Sequence, residues 1–209
     1  MLEGAAHLPS IDTERLQLRS LSSADIPALF AIFGDHDVCR YWSRPALADM
    51  AVAEALLREI EESFARRSLF QWGVAERATG AVVGTCTLAS LSREHRRAEV
   101  GYALRRDVWG RGYMAEALPA LIDFAFGTLG LHRLEADVDP RNASSIRLLE
   151  GAGFVREGYL RERYHLLGEV QDAALYGLLA PAWAAWRIER TDEDRADAHR
   201  RMPAEESRG

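Results

Sequence analysis

Apolar and polar residues alternate along several short segments of the chain, which is the pattern of strands with one buried face. Leu16 and Leu18 alternate with arginine and glutamine, and Thr79-Gly80 separates two apolar runs as a hairpin turn would. The pattern predicts seven strands, which cover Thr13–Leu21, Leu69–Glu76, Ala81–Leu91, Arg97–Leu104, His132–Val138, Phe154–Tyr164 and Val170–Leu178.

Apolar residues spaced three and four positions apart predict the helices. Ala53, Leu57 and Ile60 belong to one such stripe. The predicted helices run from the caps at Ser22–Asp25 to about Phe33, and then over Ala48–Arg67, Gly112–Phe126, Asn142–Ala152 and Pro181–Arg187. The order of strands and helices is neither a regular alternation nor all-β. It predicts an α+β or mixed α/β domain with one central sheet and helices on its faces.

The length of 209 residues suits one domain or two small ones, and no internal repeat or low-complexity linker divides the chain. We therefore expect a single domain over residues 1–187. Residues 188–209 are rich in charge and almost free of large apolar side chains, so we expect a frayed or disordered tail there.

Charge and composition exclude several classes of function. The net charge is −6, and all 26 basic residues are arginine. Nucleic-acid binding demands a basic face, so the acidic balance argues against it, whereas a cationic amine substrate is compatible. A P-loop and a Schiff-base site both require lysine, which the chain lacks. Cys39 and Cys86 are too few for a disulfide framework or a zinc site, so we expect no metal.

The apolar segments of the sequence are too short to form a membrane-spanning helix. The longest run without a charge, Ala78–Ser92, has 15 residues and contains glycine, threonine and serine, whereas a span needs about 20 apolar residues. Residues 1–10 show no basic cluster followed by an apolar stretch, the mark of a signal peptide. We therefore expect a cytoplasmic protein without a membrane partner.

A Gly-rich turn, Arg105–Met114, joins the predicted strand Arg97–Leu104 to an amphipathic helix. Such a turn presents free backbone N–H groups and the positive end of the helix dipole to an anion. Residues 104–113 also carry three arginines against one aspartate. Ala115 stands where a Rossmann fingerprint has its third glycine, so that motif is excluded. The turn is therefore either a pyrophosphate site or an ordinary connection.

Longer motifs on both sides of this turn resemble those of a known family. The sequences EVGYAL at Glu99–Leu104 and VWGRGYMAEAL at Val108–Leu118 resemble the acetyl-CoA motif of the GNAT N-acetyltransferases. Three downstream segments resemble the second motif of that family, namely Leu131–Ala136, Asp139–Ser145 and Leu148–Phe154.

The two ends of the chain resemble one branch of this family, the RimJ/RimL-type enzymes. The opening sequence TERLQLR at Thr13–Arg19 is similar to the start of that branch. Its closing segment is matched by Gly168, Asp172, the sequence YGLL at Tyr176–Leu179, and Trp183. The resemblance extends over about Thr13–Trp186.

The resemblance implies a mixed, V-split sheet of about seven strands with helices on both faces. Acetyl-CoA would lie where the strands Arg97–Leu104 and His132–Val138 diverge. The first strand would pair with the pantetheine arm, and the turn after it would hold the pyrophosphate. The residues that the resemblance assigns to the cofactor are Tyr102, Ala103, Leu104, Trp109, Gly110, Arg111, Gly112, Tyr113, Met114, Asn142 and Ser145.

Some positions depart from the general family pattern. Trp109 stands first in the turn, as is usual for the RimJ/RimL-type branch, but Met114 replaces alanine or glycine and could crowd the phosphates. Pro119 lies inside the following helix, where it removes a hydrogen bond to Ala115 and should kink or loosen the helix. We expect binding to survive, because neither change removes the N–H donors of the turn.

The resemblance also suggests a catalytic group for the departing thiolate. The tyrosine that protonates it in many GNAT enzymes falls on Leu149, whereas Ser145 occupies the position of a serine that faces CoA in this branch. We assign Ser145 as proton donor or hydrogen-bond partner of the sulfur, with Asn142 ordering the ligand. The alternative is that Asn142 and Ser145 are ordinary helix caps.

Glu99 is the candidate general base. It shares one face of its strand with Gly101 and Ala103, whose small side chains leave room for a ligand. The alternative is a solvated or arginine-paired acid, and Glu135 on the neighbouring strand is a reserve candidate.

Several aromatic residues are candidates for the acceptor pocket, namely Trp42, Trp72, Tyr164 and His165. The alternative places the tryptophans in the core and gives the histidine a structural role. Cys86, in a strand, is expected to be a small buried residue.

The predicted reaction is transfer of an acetyl group from acetyl-CoA to a primary amine. An α-amine has a pKa of about 7.7–8.0 and a lysine amine about 10.4, so far more of the α-amine is neutral near pH 7. We therefore expect a protein or peptide N-terminus as acceptor. The alternatives are a small amine, such as an antibiotic, amino acid or polyamine, and a CoA-binding sensor without turnover, which Leu149 and Met114 would suit. A homodimer is left open.

Overall fold

In the computed structural model, the described part of the chain comprises residues 1–42, 44–166 and 168–189. The strands are β1 (Ile11–Asp12), β2 (Leu16–Arg19), β3 (Phe70–Glu76), β4 (Val82–Ser92), β5 (Arg97–Leu104), β6 (Arg133–Val138), β7 (Val155–Leu166) and β8 (Glu169–Leu179). The helices are α1 (Ile26–Phe33), α2 (His36–Cys39), α3 (Met50–Ala65), α4 (Tyr113–Asp123), α5 (Ala143–Gly151) and α6 (180–189). Most of the predicted tail, from residue 190 onward, lies outside the described residues, while residues 188 and 189 belong to α6.

The described strands form one eight-stranded sheet in the order β1-β2-β3-β4-β5-β6-β8-β7. Neighbouring strands are antiparallel except β5 and β6, which run parallel. Helix α4 connects these two parallel strands, as a parallel pair requires a crossover. The predicted mixed α/β fold is therefore confirmed.

The sheet splits where β5 meets β6. The two strands pair at three positions, from Arg97 opposite Arg133 to Glu99 opposite Glu135, and then diverge. Beyond Glu99, β5 has no strand partner on its β6 side among the described residues. The backbone groups along that edge are consequently open to a ligand, and the expected V-shaped split is present.

Helices cover both faces of the sheet and bury two apolar clusters. The larger cluster contains Trp72 and Leu134 of the sheet together with Leu118 of α4 and Leu149 of α5. The smaller cluster lies on the opposite face, where α1, α2 and α3 pack over strand residues such as Ala103. Each fully buried large apolar side chain stabilises the fold by about 1.5–3 kcal/mol.

The N-terminal strand differs from the prediction. In place of one strand over Thr13–Leu21, β1 and β2 pair antiparallel, with Ile11 opposite Leu18. The Thr13 hydroxyl exchanges hydrogen bonds with the backbone of Leu16 and closes a tight turn between them. The alternation at Leu16 and Leu18 was therefore interpreted correctly. The turn at the start of the predicted strand was missed, because it contains no glycine or proline.

Helix α4 continues through Pro119 and ends at Asp123, after which residues Phe124–Thr128 form one π-helical turn. Pro119 therefore does not end the helix, although it lacks the N–H that would bond to Ala115. A second unpredicted element is the short helix α2, which is capped by the Asp35 side chain accepting from the backbone N–H groups of Asp37 and Val38.

Strand β7 forms one edge of the sheet. Its side chains are mostly exposed, and register shifts interrupt its pairing with β8 between Arg156 and Gly158 and between Leu160 and Tyr164. Glu162, within the second irregularity, has a positive φ of 53°.

Candidate active site

A cavity of about 190 Å³ lies in the split between β5 and β6. Its walls come from the two diverging strands, the start of α5, the loop after α2, and the β7–β8 pair. Its lining includes Trp42, Glu99, Gly101, Tyr102, Asp137, Asn142, Ser145 and Tyr164. The structure thus brings both predicted catalytic residues, Ser145 and Glu99, to the same cavity.

Ser145 is paired with a tyrosine. The hydroxyl oxygens of Tyr102, on β5, and Ser145, on α5, lie 2.7 Å apart, and either group can donate. Burial raises the pKa of Tyr102, so the phenol keeps its proton. Tyr102 was expected to contact the cofactor as part of β5, but its bond to Ser145 was not foreseen. The cavity therefore contains a linked pair of hydroxyl groups.

Asn142 holds Ser145 in this position. The Asn142 side-chain oxygen accepts from the backbone N–H of Ser145 at 3.1 Å and from the Ser144 hydroxyl at 2.8 Å. Asn142 is thus the N-cap of α5, as one alternative for this residue proposed. Its placement in the cavity lining leaves its amide group able to meet a ligand as well.

Glu99 faces the split from the opposite side of β5. Burial raises the pKa of its carboxyl group, and the nearby Asp137 and Glu135 raise it further, whereas Ser90 and Arg163 act in the other direction. A carboxylate with a raised pKa is a stronger base than an exposed one. The raised pKa and the position in the split make Glu99 the candidate to accept a proton.

The reserve candidate, Glu135, is tied into ion pairs. Its two carboxylate oxygens accept from Arg97 at 2.6 Å and from Arg133 at 2.8 Å. It is absent from the lining of the split cavity, so its position favours a structural role.

Asp137 is a site residue that sequence reasoning missed. It lies in the cavity lining on β6, and its carboxylate accepts from the Tyr164 hydroxyl at 2.6 Å. Glu135 and Asp137 are two positions apart on one strand and so point to the same face. This alternation was a signal for Asp137, since Glu135 had already been singled out.

The turn after β5 has the geometry of an anion site. Gly110 and Gly112 adopt positive φ angles of 75° and 77°, which glycine tolerates best. Gly112 is the N-cap of α4, and because glycine has no side chain it cannot accept from the first N–H groups of the helix. A Cβ on Gly110 would meet nothing within 4 Å, so the space above the turn is open.

The remaining turn residues support this geometry. The exposed Trp109 donates from its indole N–H to the carbonyl oxygen of Leu104 at 2.8 Å, and the Tyr113 hydroxyl donates to Glu76 at 2.7 Å. The Arg111 side chain is exposed and donates to the backbone carbonyl of Asp107. Its charge is therefore available to an anion at the turn.

Glu116 fastens this turn to the N-terminal strands. Its carboxylate accepts from the Thr13 hydroxyl at 2.5 Å, and from the backbone N–H and the side-chain Nε of Arg15 at 2.7 and 2.6 Å. The Arg15 guanidinium also donates to the Arg111 carbonyl at 3.0 Å. These bonds fix the first turn of α4 against β2.

The expectation that Met114 could crowd the phosphates was wrong. Its side chain is buried in the larger apolar cluster, with its sulfur 3.5 Å from the sulfur of Cys86. The Met114 backbone N–H remains in the first turn of α4, where it can still serve an anion. Cys86 is fully buried, as predicted, and burial raises the pKa of its thiol.

Two of the aromatic candidates, Trp72 and His165, do not line the split cavity. Trp72 is fully buried in the core and donates from its indole N–H to the Pro9 carbonyl at 2.9 Å. His165 is exposed on β7. Trp42 and Tyr164 do line the split, because the loop after α2 and the β7–β8 pair fold towards it.

A second, larger cavity of about 600 Å³ adjoins the split. It lies beneath α3, on the face of the sheet covered by α1, α2 and α3. Trp42, Glu99, Val100 and Gly101 line both cavities, so the two spaces meet at β5.

Within the described residues, no helix is long and apolar enough to cross a membrane. The same part of the chain contains no cluster of three or more histidine, cysteine or acidic side chains arranged to hold a metal ion.

Known proteins share this architecture and sequence. Residues 15–155 match the acetyltransferase (GNAT) domain. The uncharacterised N-acetyltransferase p20 of Bacillus licheniformis is 33% identical over 177 residues, which cover 85% of this chain and 99% of that protein. The ribosomal protein uS5-alanine N-acetyltransferase of Escherichia coli is 30% identical over 135 residues, covering 64% of this chain and 70% of that protein.

A solved structure shows the same fold. The spermidine N-acetyltransferase of Vibrio cholerae, in complex with CoA and spermine, matches with a TM-score of 0.74 at 22% identity, over 81% of this chain and 98% of that one. The domain match and the relative from Bacillus licheniformis establish that the chain belongs to the GNAT family and is an N-acetyltransferase. The ribosomal-protein relative supports the resemblance to the RimJ/RimL-type branch.

Substitution of Gly112 by aspartate tests the cofactor turn. The new carboxylate would stand at the N-terminus of α4, where the pyrophosphate is expected, and repel it. We expect acetyl-CoA affinity, measured by calorimetry, to fall by at least about tenfold, equivalent to about 1.4 kcal/mol.

Gly130→Asp is the matched control, because Gly130 also has a positive φ, 66°, but lies after the π-helical turn that follows α4, just before β6, in open surroundings. Both variants carry the same backbone strain and the same added charge. Equal affinity in the two folded variants would contradict the assignment of the turn to the pyrophosphate.

Proposed function

We propose that the protein transfers the acetyl group of acetyl-CoA to the α-amine of a peptide or protein N-terminus. The observation that carries this proposal is the split between β5 and β6, which has the Tyr102–Ser145 hydroxyl pair on one side and Glu99 on the other. A thioester in the split would have hydroxyl groups near its sulfur and a carboxylate facing the attacking amine.

The residues along β5 and the following turn fit acetyl-CoA. The β5 edge beyond Glu99 is open to pair with the amides of the pantetheine arm. The first N–H groups of α4, behind Gly110 and Gly112, would bind the pyrophosphate, and the Arg111 guanidinium would add a positive charge. Acetyl-CoA supplies the activated acetyl group; the protein binds and orients it.

Ser145 and Tyr102 would stabilise the departing thiolate. When the amine displaces the thiolate, the sulfur gains negative charge, which a hydroxyl donor stabilises. The Ser145 hydroxyl would donate to the sulfur while it accepts from the Tyr102 phenol, and this chain of hydrogen bonds strengthens the donor. Leu149, at the position of the usual tyrosine, is fully buried and cannot act here.

Glu99 would accept the proton that the amine loses on attack, directly or through a water molecule. Its raised pKa and its place at the junction of the two cavities support this role. A base of moderate strength suits an α-amine with a pKa of about 7.7–8.0 better than a lysine amine, which requires more help to become neutral.

The direct test of this function is release of free CoA thiol from acetyl-CoA in the presence of candidate acceptors. We expect release with peptides that have a free N-terminus, and loss of release when the N-terminus is blocked by acetylation. A peptide with an internal lysine and a blocked N-terminus is the control for side-chain amines. Release with that peptide alone would contradict the α-amine assignment, and tight acetyl-CoA binding without release with any amine would favour a sensor.

Glu99→Gln tests the general base. The glutamine amide cannot accept a proton, so the variant depends on amine that arrives neutral. We expect the rate to fall most at low pH and to recover in part as the pH rises through the amine pKa of about 8. In the wild type, by contrast, activity should persist down to the raised pKa of Glu99 and fall below it, because the protonated carboxyl cannot act as a base.

Glu135→Gln is the control for this measurement, since it removes a neighbouring carboxylate that is paired with Arg97 and Arg133. We expect a nearly wild-type rate from it at pH 7 and above. If the pH–rate profile of Glu99→Gln follows that of the wild type, Glu99 has no part in proton transfer.

Ser145→Ala tests the thiolate partner. We expect a lower kcat with acetyl-CoA affinity close to the wild type, because the hydroxyl matters most when charge develops on the sulfur. The loss should lie at or below the lower end of the 10²–10⁴-fold range typical of acid–base groups, about a hundredfold or less.

Tyr102→Phe completes this test, because it removes the partner of Ser145 and leaves the ring in place. A smaller loss of kcat than in Ser145→Ala is expected if the phenol acts through the serine. Parallel losses of kcat and acetyl-CoA affinity in Ser145→Ala would instead show a residue that only binds the cofactor.

A further inference from the structure

The larger cavity beneath α3 is mostly apolar. Its volume of about 600 Å³ is that of a site for a bulky group, whereas the split itself has about 190 Å³. The helix α3, the loop after α2 and the strands β3 to β5 enclose it. Its apolar lining includes Trp42, Leu47, Val52, Leu56 and Ile60.

The charged side chains in this lining do not favour a ligand that carries a further positive charge besides its reacting amine. Arg44 and Glu59 form a two-point ion pair at 2.9 and 2.8 Å, which neutralises Glu59. Both are exposed, at 63% and 51%, so they lie at the rim of the cavity. Glu99 is the other carboxylate of this lining, and it stands at the junction with the split.

The floor of the cavity carries polar groups in a line that leads to the split. Gln71, Thr87 and Gly101 are neighbours in register across β3, β4 and β5. Gln71 and Thr87 are buried, and their side chains line the cavity. They can therefore bond to the amide group of a ligand whose amine lies at Glu99.

Gly101 leaves the passage between the cavities open. A Cβ at this position would meet nothing nearer than the Cβ of Thr87, at 3.8 Å. An amine held in the split can consequently extend its substituent past Gly101 into the larger cavity.

We infer that the preferred acceptor is an α-amine attached to a large apolar side chain, such as that of leucine or phenylalanine, with an amide group on the same carbon. This inference rests on the proposed function and names its substrate class. The amine lies at Glu99, the amide group lies over Gln71 and Thr87, and the side chain fills the cavity beneath α3. A peptide N-terminus and a free amino-acid amide share this chemistry.

The cavity discriminates against two other kinds of amine. A polyamine would bring a second ammonium group into an apolar space whose rim carboxylate is already paired, and an unpaired buried charge is strongly unfavourable. An N-terminal alanine would reach the split but leave the larger cavity unfilled, without the gain from burying apolar surface.

The test is thiol release from acetyl-CoA by the full-length protein with one peptide sequence that begins with alanine, leucine or phenylalanine. Leucinamide and spermidine are assayed beside the peptides. We expect kcat/KM for the leucine and phenylalanine peptides to exceed that for the alanine peptide by at least about tenfold, equivalent to about 1.4 kcal/mol. Spermidine should be the poorest acceptor.

The outcomes separate this inference from the proposed function. Activity with the alanine peptide that equals or exceeds that with the apolar peptides would overturn the inference alone, leaving the proposed function intact. Spermidine as the best acceptor would overturn both the inference and the α-amine assignment. Absence of release with every acceptor would overturn both. If leucinamide is acetylated as well as the leucine peptide, the natural acceptor is a small molecule. If the peptide is a far better substrate, the natural acceptor is the N-terminus of a peptide or protein.

A matched pair of variants tests the cavity itself. Val52 lines the cavity and is 41% exposed, whereas Met50, on the same helix, is 40% exposed and lies outside the lining. We expect Val52→Glu to lower the preference for phenylalanine over alanine by about threefold or more, because it places a carboxylate in the apolar wall. Met50→Glu should leave that ratio unchanged; equal ratios in both variants would place the acceptor side chain elsewhere.

Discussion

The parallel pairing of β5 with β6, which stops after three residue pairs, is the constraint on which the site depends. Hydrogen bonds hold the two strands together at Glu99 and Glu135, so the strands are fixed at one end and free at the other. A fully paired sheet would satisfy the backbone groups of β5 internally and leave no edge for a ligand. The split also lets side chains from opposite faces of the sheet, Ser145 and Glu99, border a single space.

The positions of most elements followed from the sequence, because alternating and helical patterns record which faces are buried. The strand Arg97–Leu104 was predicted with the bounds it has in the structure. The turn between β1 and β2 was missed, because it contains no glycine or proline that would mark it in the sequence. A hydrogen bond to the Thr13 side chain closes it instead. Met114 was misjudged for another reason: the motif shows the residue type but not that its side chain turns inward to Cys86.

Less of the candidate site than of the fold could be predicted from the sequence. Ser145 and Glu99 were found because they stand at set places in recognisable motifs, while the Tyr102–Ser145 hydrogen bond joins positions 43 residues apart. The line of Gln71, Thr87 and Gly101 depends likewise on the register of three strands. Such contacts arise from tertiary packing, and short-range spacing carries no record of them.

The outer strand β7 shows how the sheet avoids unwanted association. An unpaired edge can add a strand from another molecule and so seed aggregates. Here the edge presents charged side chains, among them Arg156, Arg161 and Glu162, and two register shifts bend it away from a regular ladder. A strand approaching from outside would have to bury these charges against an irregular backbone. The same twelve residues that complete the sheet therefore hinder the addition of a further strand at this edge.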